Sequence, residues 1–304
     1  MAEEKREINY GGQAVMEGVM MRGSKALAVA VRNPDGEIVI HTEPLNSNIY
    51  TGRISKIPFL RALTSLWDVL VLGIRTLMYS AEVALGPDEG VEFNGPIAWG
   101  TIAFSFVIGI GLFFVGPLLL IGLVDRYIGS SFLSNILEGV IRLAIFVLYI
   151  WLIGRVPDIR RVFAYHGAEH KTINAYEAGA ALTPEEVTRY STAHYRCGTA
   201  FLLSVMVISI LVFSLLGRPP MALRILSRIL FIPVIAGLAY EYIRLTNRYR
   251  DHPRYSGIIR AIAAPSLALQ KLTTREPDPR MLEVSIAALT CVLETESSLS
   301  SPAT

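Results

Sequence analysis

Apolar residues in this chain gather in long unbroken runs. Ile97 to Val124 carries no charged residue over 28 positions, more than the roughly 20 a helix needs to cross a bilayer. Pro117 lies inside that run and predicts a kink. A short loop over 125–135 leads to a second run, Ile136 to Gly154. It contains Glu138 and Arg142, four residues apart and expected near one end of the helix. Thr199 to Leu216 forms a third run and Ile225 to Ile243 a fourth, with Pro233 and Gly237 inside the last. Both residue types are tolerated in spans whose neighbours satisfy the freed backbone. The pattern predicts a mainly α, polytopic membrane helix bundle of about four spans.

Outside these runs the periodicity changes. Leu63, Leu66, Leu70 and Ile74 recur at helical spacing within Phe59 to Ala84, among Arg61, Trp67, Asp68, Arg75 and Glu82. That predicts an amphipathic helix lying on the membrane or the bundle, with a re-entrant segment as the alternative. The glycine- and methionine-rich stretch near the start, GGQAVMEGVMMRG, matches neither period. Ala26–Val31 and Glu37–His41 flank Asn33-Pro34-Asp35-Gly36, which predicts a β-hairpin. Ile38 and Ile40 would face one side of it, and Val39 and His41 the other. Near the end, Asp278-Pro279 opens a run of Met281, Val284, Ala288, Leu289 and Val292 at helical spacing, and SSLSSPAT after it is expected to be disordered. The organisation expected is therefore 1–58, an N-terminal segment with the hairpin; 59–96, the amphipathic helix and a linker; 97–154, spans one and two; 155–198, a cytoplasmic helical hairpin; 199–245, spans three and four; and 246–304, a C-terminal segment with an amphipathic helix and a disordered tail.

Composition agrees with a membrane class. The chain is 52% hydrophobic and only 18% charged, against about a quarter in soluble domains, and its mean hydropathy is +0.44. A net charge of +2 gives no reason to expect a nucleic-acid partner. The first ten residues, MAEEKREINY, lack the apolar core of a signal peptide. Two cysteines, Cys197 and Cys291, make no disulfide framework. Lys and Arg number nine in 1–96, six in 155–197 and eight in 244–304, while the opposite side would hold Arg126, Arg218, Arg224 and Arg228. By the positive-inside rule both termini and the central loop are expected in the cytoplasm.

The chemistry concentrates in that central loop. Of five histidines, His166, His170 and His194 lie within it. His166, Glu169 and His170 form H-x-x-E-H, whose first, fourth and fifth positions share a helix face. Two imidazoles one turn apart can hold one metal ion, and the glutamate can act as general base on a bound water. Glu177 continues that face as a further ligand or supporting partner. Thr183, Pro184 and Glu186 start a second helix with a capping box, expected to run to near His194 and to return His194 and Cys197 toward the first. The candidate metal ligands are thus His166, His170, His194 and Cys197, the candidate catalytic base is Glu169, and Glu177, Glu17 and Arg22 form a supporting set. Zinc is the first choice of divalent ion, with iron or manganese as alternatives. Four protein ligands would make a closed structural site and three an open catalytic one. Glu241 and Arg244 are expected to pair at the end of span four.

GGQAVMEGVMMRG, YHGAEHKTINAYE, HYRCGTAFLL, PVIAGLAYEYIRL and LALQKLTTREPDPRMLEVSIAAL together resemble the YqhQ-like family of bacterial membrane proteins, over about residues 10 to 290. The resemblance implies a domain of unknown function and a metal-dependent enzyme whose residues are those named above, and, the family being bacterial, it implies the inner membrane. Two functions are carried forward. One is a hydrolytic enzyme acting at the membrane surface on a lipid headgroup or a membrane-protein segment. The other is a non-enzymatic assembly or regulatory protein with a structural metal knot. Membrane lipids are the expected partners in either case. A transporter ranks lower, because the spans are read as holding few intramembrane charges.

Overall fold

A computed structural model describes residues 10–45, 57, 60–86, 95–217, 219–249 and 252–300. The expectations for residues 1–9, for most of the 86–96 linker and for the last four residues of the serine-rich tail lie outside these.

The chain is mainly helical, with a small antiparallel sheet at its N-terminal end. The sheet has four strands in sequence order: β1 (Gly11–Val15), β2 (Gly18–Arg22), β3 (Ala26–Arg32) and β4 (Ile38–Pro44). The hairpin expected around Asn33–Gly36 is β3–β4, with Gly36 at φ +89° in its turn. The unread GGQAVMEGVMMR stretch is a second hairpin, β1–β2, turning at Glu17, whose φ is +49°. Glycine-rich strands carry little β-propensity of their own, so long-range pairing makes this one. Gly18 has no room for a side chain: a Cβ there would stand 2.3 Å from the Ala30 carbonyl oxygen.

Both faces of the sheet are covered, which is why ALAVAV in β3 is continuous rather than alternating. Val15, Met20, Leu27, Val29 and Val31 pack on Leu72 of helix α1 (Leu60–Leu85). Val19, Met21, Ala28 and Ala30 face two other helices, α5 (Pro157–Glu177) and α11 (Pro279–Ser300). The amphipathic helix expected from Phe59 is thus α1, laid on the sheet and tied to the bundle by Arg61, whose guanidinium donates to Glu241 at 2.5 and 2.8 Å. Arg61, not Arg244, is therefore the partner of Glu241. Asp278 caps α11 by accepting from Met281 N at 2.9 Å, and Ser297–Ser300 continue that helix rather than fraying.

The apolar part contains α2 (Pro96–Ile110), a π-helical turn (Gly111–Val115), α3 (Gly116–Val124), α4 (Ser131–Ile153), α7 (Gly198–Ser214), α8 (Met221–Leu230), α9 (Ile232–Tyr249) and α10 (Ser256–Thr273). Two helices are long and apolar enough to cross a membrane, Trp99–Tyr127 and Ser131–Ile153. A third exists if α8 and α9, bent by 41°, count as one span, and α7 is apolar but shorter, at 17 residues. Among the described residues the count is two to three rather than clearly four.

Glu138 and Arg142 are not near a helix end. Arg142 is the twelfth residue of the 23-residue α4, and both side chains are almost fully buried. Glu138 accepts from Arg142 at 2.7 Å, from Arg224 at 3.0 Å and from Arg228 at 2.7 and 3.0 Å. Arg224 also pairs with Asp125 at 3.0 Å, and Arg228 donates to Asn135 at 3.1 Å. Arg224 and Arg228, counted from the sequence as loop charges, are therefore buried inside the bundle. The π turn belongs to the same network. Pro117 has no N–H, so the Phe113 carbonyl four residues earlier lacks its helical donor. Arg142 Nε donates to that oxygen at 3.0 Å.

Candidate metal centre

Helix α5 begins at Pro157, a residue suited to the first helical position because its missing N–H would be unpaired there anyway. His166, Glu169 and His170 follow in its interior, and most residues from Ala164 to Ala175 are buried. The two imidazole rings lie one turn apart, with centroids separated by 4.4 Å. Gly167 between them is needed for packing, since a Cβ there would sit 2.0 Å from the Arg275 carbonyl oxygen.

Each imidazole is oriented by a backbone carbonyl. His166 Nδ1 lies 2.9 Å from Thr273 O, and His170 Nδ1 lies 2.6 Å from Thr192 O. A carbonyl oxygen only accepts, so Nδ1 carries the proton in both rings and each Nε2 presents a lone pair. Such carbonyl–histidine pairs commonly fix metal-binding rings. Cys197, the N-cap of α7, accepts from Thr199 N and places its Sγ 3.1 Å from His166 Nε2. One ligand atom from each of His166, His170 and Cys197 falls within a 4.8 Å sphere of mutual distances. Ligands around tetrahedral zinc stand about 3.3–3.6 Å apart, given its bond lengths. His170 Nε2 is buried without a hydrogen-bond partner, an orphan that a cation would satisfy. These residues fit a metal ion.

His194 stands apart from this trio. Its ring centroid is 5.7 Å from that of His170. Its Nδ1 accepts from Arg196 N at 3.4 Å, and its Nε2 lies 3.7 Å from Glu177 Oε1, buried like His170 Nε2 with no hydrogen-bond partner. Burial, only partly opposed by Glu177, holds its pKa below the ordinary histidine value. Glu177 also lies outside the trio and forms an ion pair with Arg196. Burial would raise its pKa, but His194 and Arg196 outweigh that and hold it down to about 2.

Glu169 lies on α5 between the two histidines, outside the trio of ligand atoms. Burial pushes its carboxyl up to about 7, against the opposing pull of His166 and the Gly12 amide. Gly12 in β1 leaves room for it: a Cβ there would lie 3.0 Å from Glu169 Cγ. Glu17 does not reach the site. It pairs with Arg161, near the start of α5, at 2.5 and 2.6 Å. Arg22 sits at the end of β2 opposite Gly11.

The expected second helix is a single turn, α6 (Pro184–Val187), although Thr183 caps it through Glu186 N as the sequence implied. Residues 188–197 form an irregular loop because side chains consume the carbonyls a helix would need. Lys171 takes Thr188 O, Asn174 takes Ser191 O and Ala193 O, and His170 takes Thr192 O. Buried Gln270 of α10 clamps the His194 backbone from both sides, at 2.9 and 2.8 Å. Sequence reasoning missed Lys171, Asn174 and Gln270. His170, Asn174 and Glu177 do recur at helical spacing, a polar stripe that signals a partner loop.

A family model described as "Protein of unknown function (DUF1385)" matches residues 57–295. The "Uncharacterized protein YqhQ" of Bacillus subtilis (strain 168) is 34% identical over 308 aligned residues, covering 97% of this chain and 96% of the relative. No solved structure matches.

Proposed function

The chain belongs to the family of unknown function DUF1385, and from that premise we propose a multi-pass membrane protein that binds one divalent metal ion at its cytoplasmic face and hydrolyses a substrate there. His166, His170 and Cys197 hold the ion, zinc first and iron or manganese next. Four crossings, with α7 and the bent α8–α9 pair as the last two, put both termini and α5 in the cytoplasm, in accord with the distribution of Lys and Arg.

The observation that carries this reading is the convergence of three side chains: one ligand atom from each of His166, His170 and Cys197 lies within 4.8 Å of the others, and His170 Nε2 is buried with no hydrogen-bond partner. Three ligands rather than four leave a coordination position for water, as catalytic zinc sites do. When bound, the ion would supply Lewis-acid chemistry and a water acidic near neutral pH. Glu169 takes up a proton beside His166, and its carboxyl near 7 suits a general base. His194 and Gln270 keep the loop before Cys197 in place. The burial of His170 and Cys197 favours the structural-knot alternative, in which the ion only pins α5 to α7.

Metal content of the purified protein tests the reading. About one ion per chain is expected in the wild type and in His194→Ala, and none in a folded His166→Ala/His170→Ala variant. Loss on His194→Ala alone would move the assignment to a closed four-ligand knot. No metal in any of them, after supplementation, would remove the enzyme reading.

A further inference from the structure

A groove of about 520 Å³ opens where α4 ends and α5 begins. Four arginines line it, Arg155, Arg160, Arg161 and Arg275, against one acid, Glu276. The acid does not neutralise them, since its carboxylate pairs with Lys171 at 2.5 Å. Arg161 is held by Glu17, and Arg275 donates to the carbonyls of Lys271 and Thr274. Among the described residues the side chains of Arg160 and Arg155 have no hydrogen-bond or ion-pair partner, their amides alone being bonded, and the Arg155 guanidinium lies 3.1 Å over the Trp151 ring. The N-terminus of α5 has no side-chain cap, so its first amides and the positive end of its dipole face the same region, with Asp158 of its first turn as the opposing charge.

The groove's place in the fold names its occupant. Arg155 follows the last residue of α4, Ile153, by two positions. Leu148, Tyr149, Trp151 and Leu152, on the last turns of α4, are exposed. Apolar surface therefore runs from the groove along α4. Trp beside Arg at a span's end marks the headgroup level of a bilayer. We propose that this groove binds the phosphate of an anionic glycerophospholipid, whose acyl chains lie along the outer face of α4. Arg155 and Arg160 are the reading groups, and Arg161 and Arg275 form the walls. His166 hydrogen-bonds Thr273 O, two residues before Arg275, so the bound headgroup stands beside the candidate metal centre. The lipid site rests on α4 as a span and not on the metal.

The test uses the full chain in nanodiscs of mixed phosphatidylglycerol and phosphatidylcholine, with retained lipids counted by native mass spectrometry. Wild type is expected to enrich phosphatidylglycerol. Enrichment should fall about fivefold for each arginine in Arg155→Gln and Arg160→Gln, which corresponds to the ~1 kcal/mol a basic residue contributes at an anionic surface. Arg254→Gln/Arg260→Gln, also exposed, should leave enrichment intact. No enrichment in wild type, or equal loss in the control pair, would overturn the proposal. So would displacement of phosphatidylglycerol by equimolar inorganic phosphate, which would make the ligand a free anion. Metal content, measured on the same samples, should not change in any arginine variant, so this site and the metal reading fail separately.

Discussion

Two clusters of buried polar side chains lie in this molecule, and they treat their hydrogen-bonding groups in opposite ways. In the bundle, Glu138 accepts from three arginines, and those arginines also reach Asp125, Asn135, Ser209 and the Phe113 carbonyl. Among the nitrogens of those guanidiniums, only Arg224 Nε is orphaned. In the cluster on α5, Nδ1 of His166 and of His170 meets a backbone carbonyl, His166 Nε2 meets Cys197 Sγ, and His170 Nε2 is left with no hydrogen-bond partner. Burial in both is near complete, so burial alone says nothing about role. A saturated network holds helices together, while a buried nitrogen without a partner leaves room for a group from outside.

The contrast can be broken by substitution, and the largest effect is expected in the saturated cluster. Glu138→Ala strands three buried guanidiniums, and losing one partner of such a network costs about 3–5 kcal/mol. Thermal unfolding in detergent should show it, and a change near zero would mean that the network is solvated. Gly167→Ala comes next: its Cβ would meet a backbone oxygen, and forced overpacking costs about 1–3 kcal/mol. A melting temperature equal to wild type would show that α5 can shift from the α10–α11 linker. His170→Ala frees Thr192 O of its donor, so the metal-free protein should lose about 1–3 kcal/mol, less than Glu138→Ala, while metal binding is lost. If it instead unfolds the metal-free protein as Glu138→Ala does, the two clusters do not differ in kind.

The smallest effect concerns protons. Glu169 is raised from 4.5 to about 7 in the folded chain, so the native state binds more protons than the unfolded one between those values. The Glu169 contribution to the stability of the metal-free protein should therefore fall as pH rises from about 4.5 to 7 and level off above, against the lowered pKa of His194, which adds stability as pH rises toward its ordinary value. Glu169→Gln should flatten that slope. An unchanged slope in the variant would assign the dependence to another group.

The pattern of apolar runs made the helices legible, and helical spacing within α5 and α11 gave their buried faces. H-x-x-E-H was readable because its chemistry lies within one turn. The β1–β2 hairpin was not, because its glycines lack propensity and its order comes from β3 and α5. The one-turn α6 was misjudged for a similar reason: Lys171, Asn174 and His170 take the loop's carbonyls from across the chain. Arg224 and Arg228, one turn apart among apolar residues, did carry a signal. Counting them as topology charges hid it, since their partner Glu138 is about ninety residues away in sequence. The Pro117–Arg142 relation shows the limit plainly, because a proline announces a missing donor but not which side chain replaces it.

The half of the molecule that holds the sheet has one further property. Its shared core joins Tyr10 and strands β2 and β3 to Ala164–Ala175 of α5 and to Met281–Val292 of α11. The apolar helices intervene twice along the chain between these pieces. Nowhere can the gene be cut to release this half as a contiguous soluble fragment. During synthesis the core stays open until α11 leaves the ribosome, some hundred residues after His170 and Cys197 have emerged. The ligands thus exist as a naked loop before they exist as a site, and metal loading by the nascent chain would precede the closing of its own container.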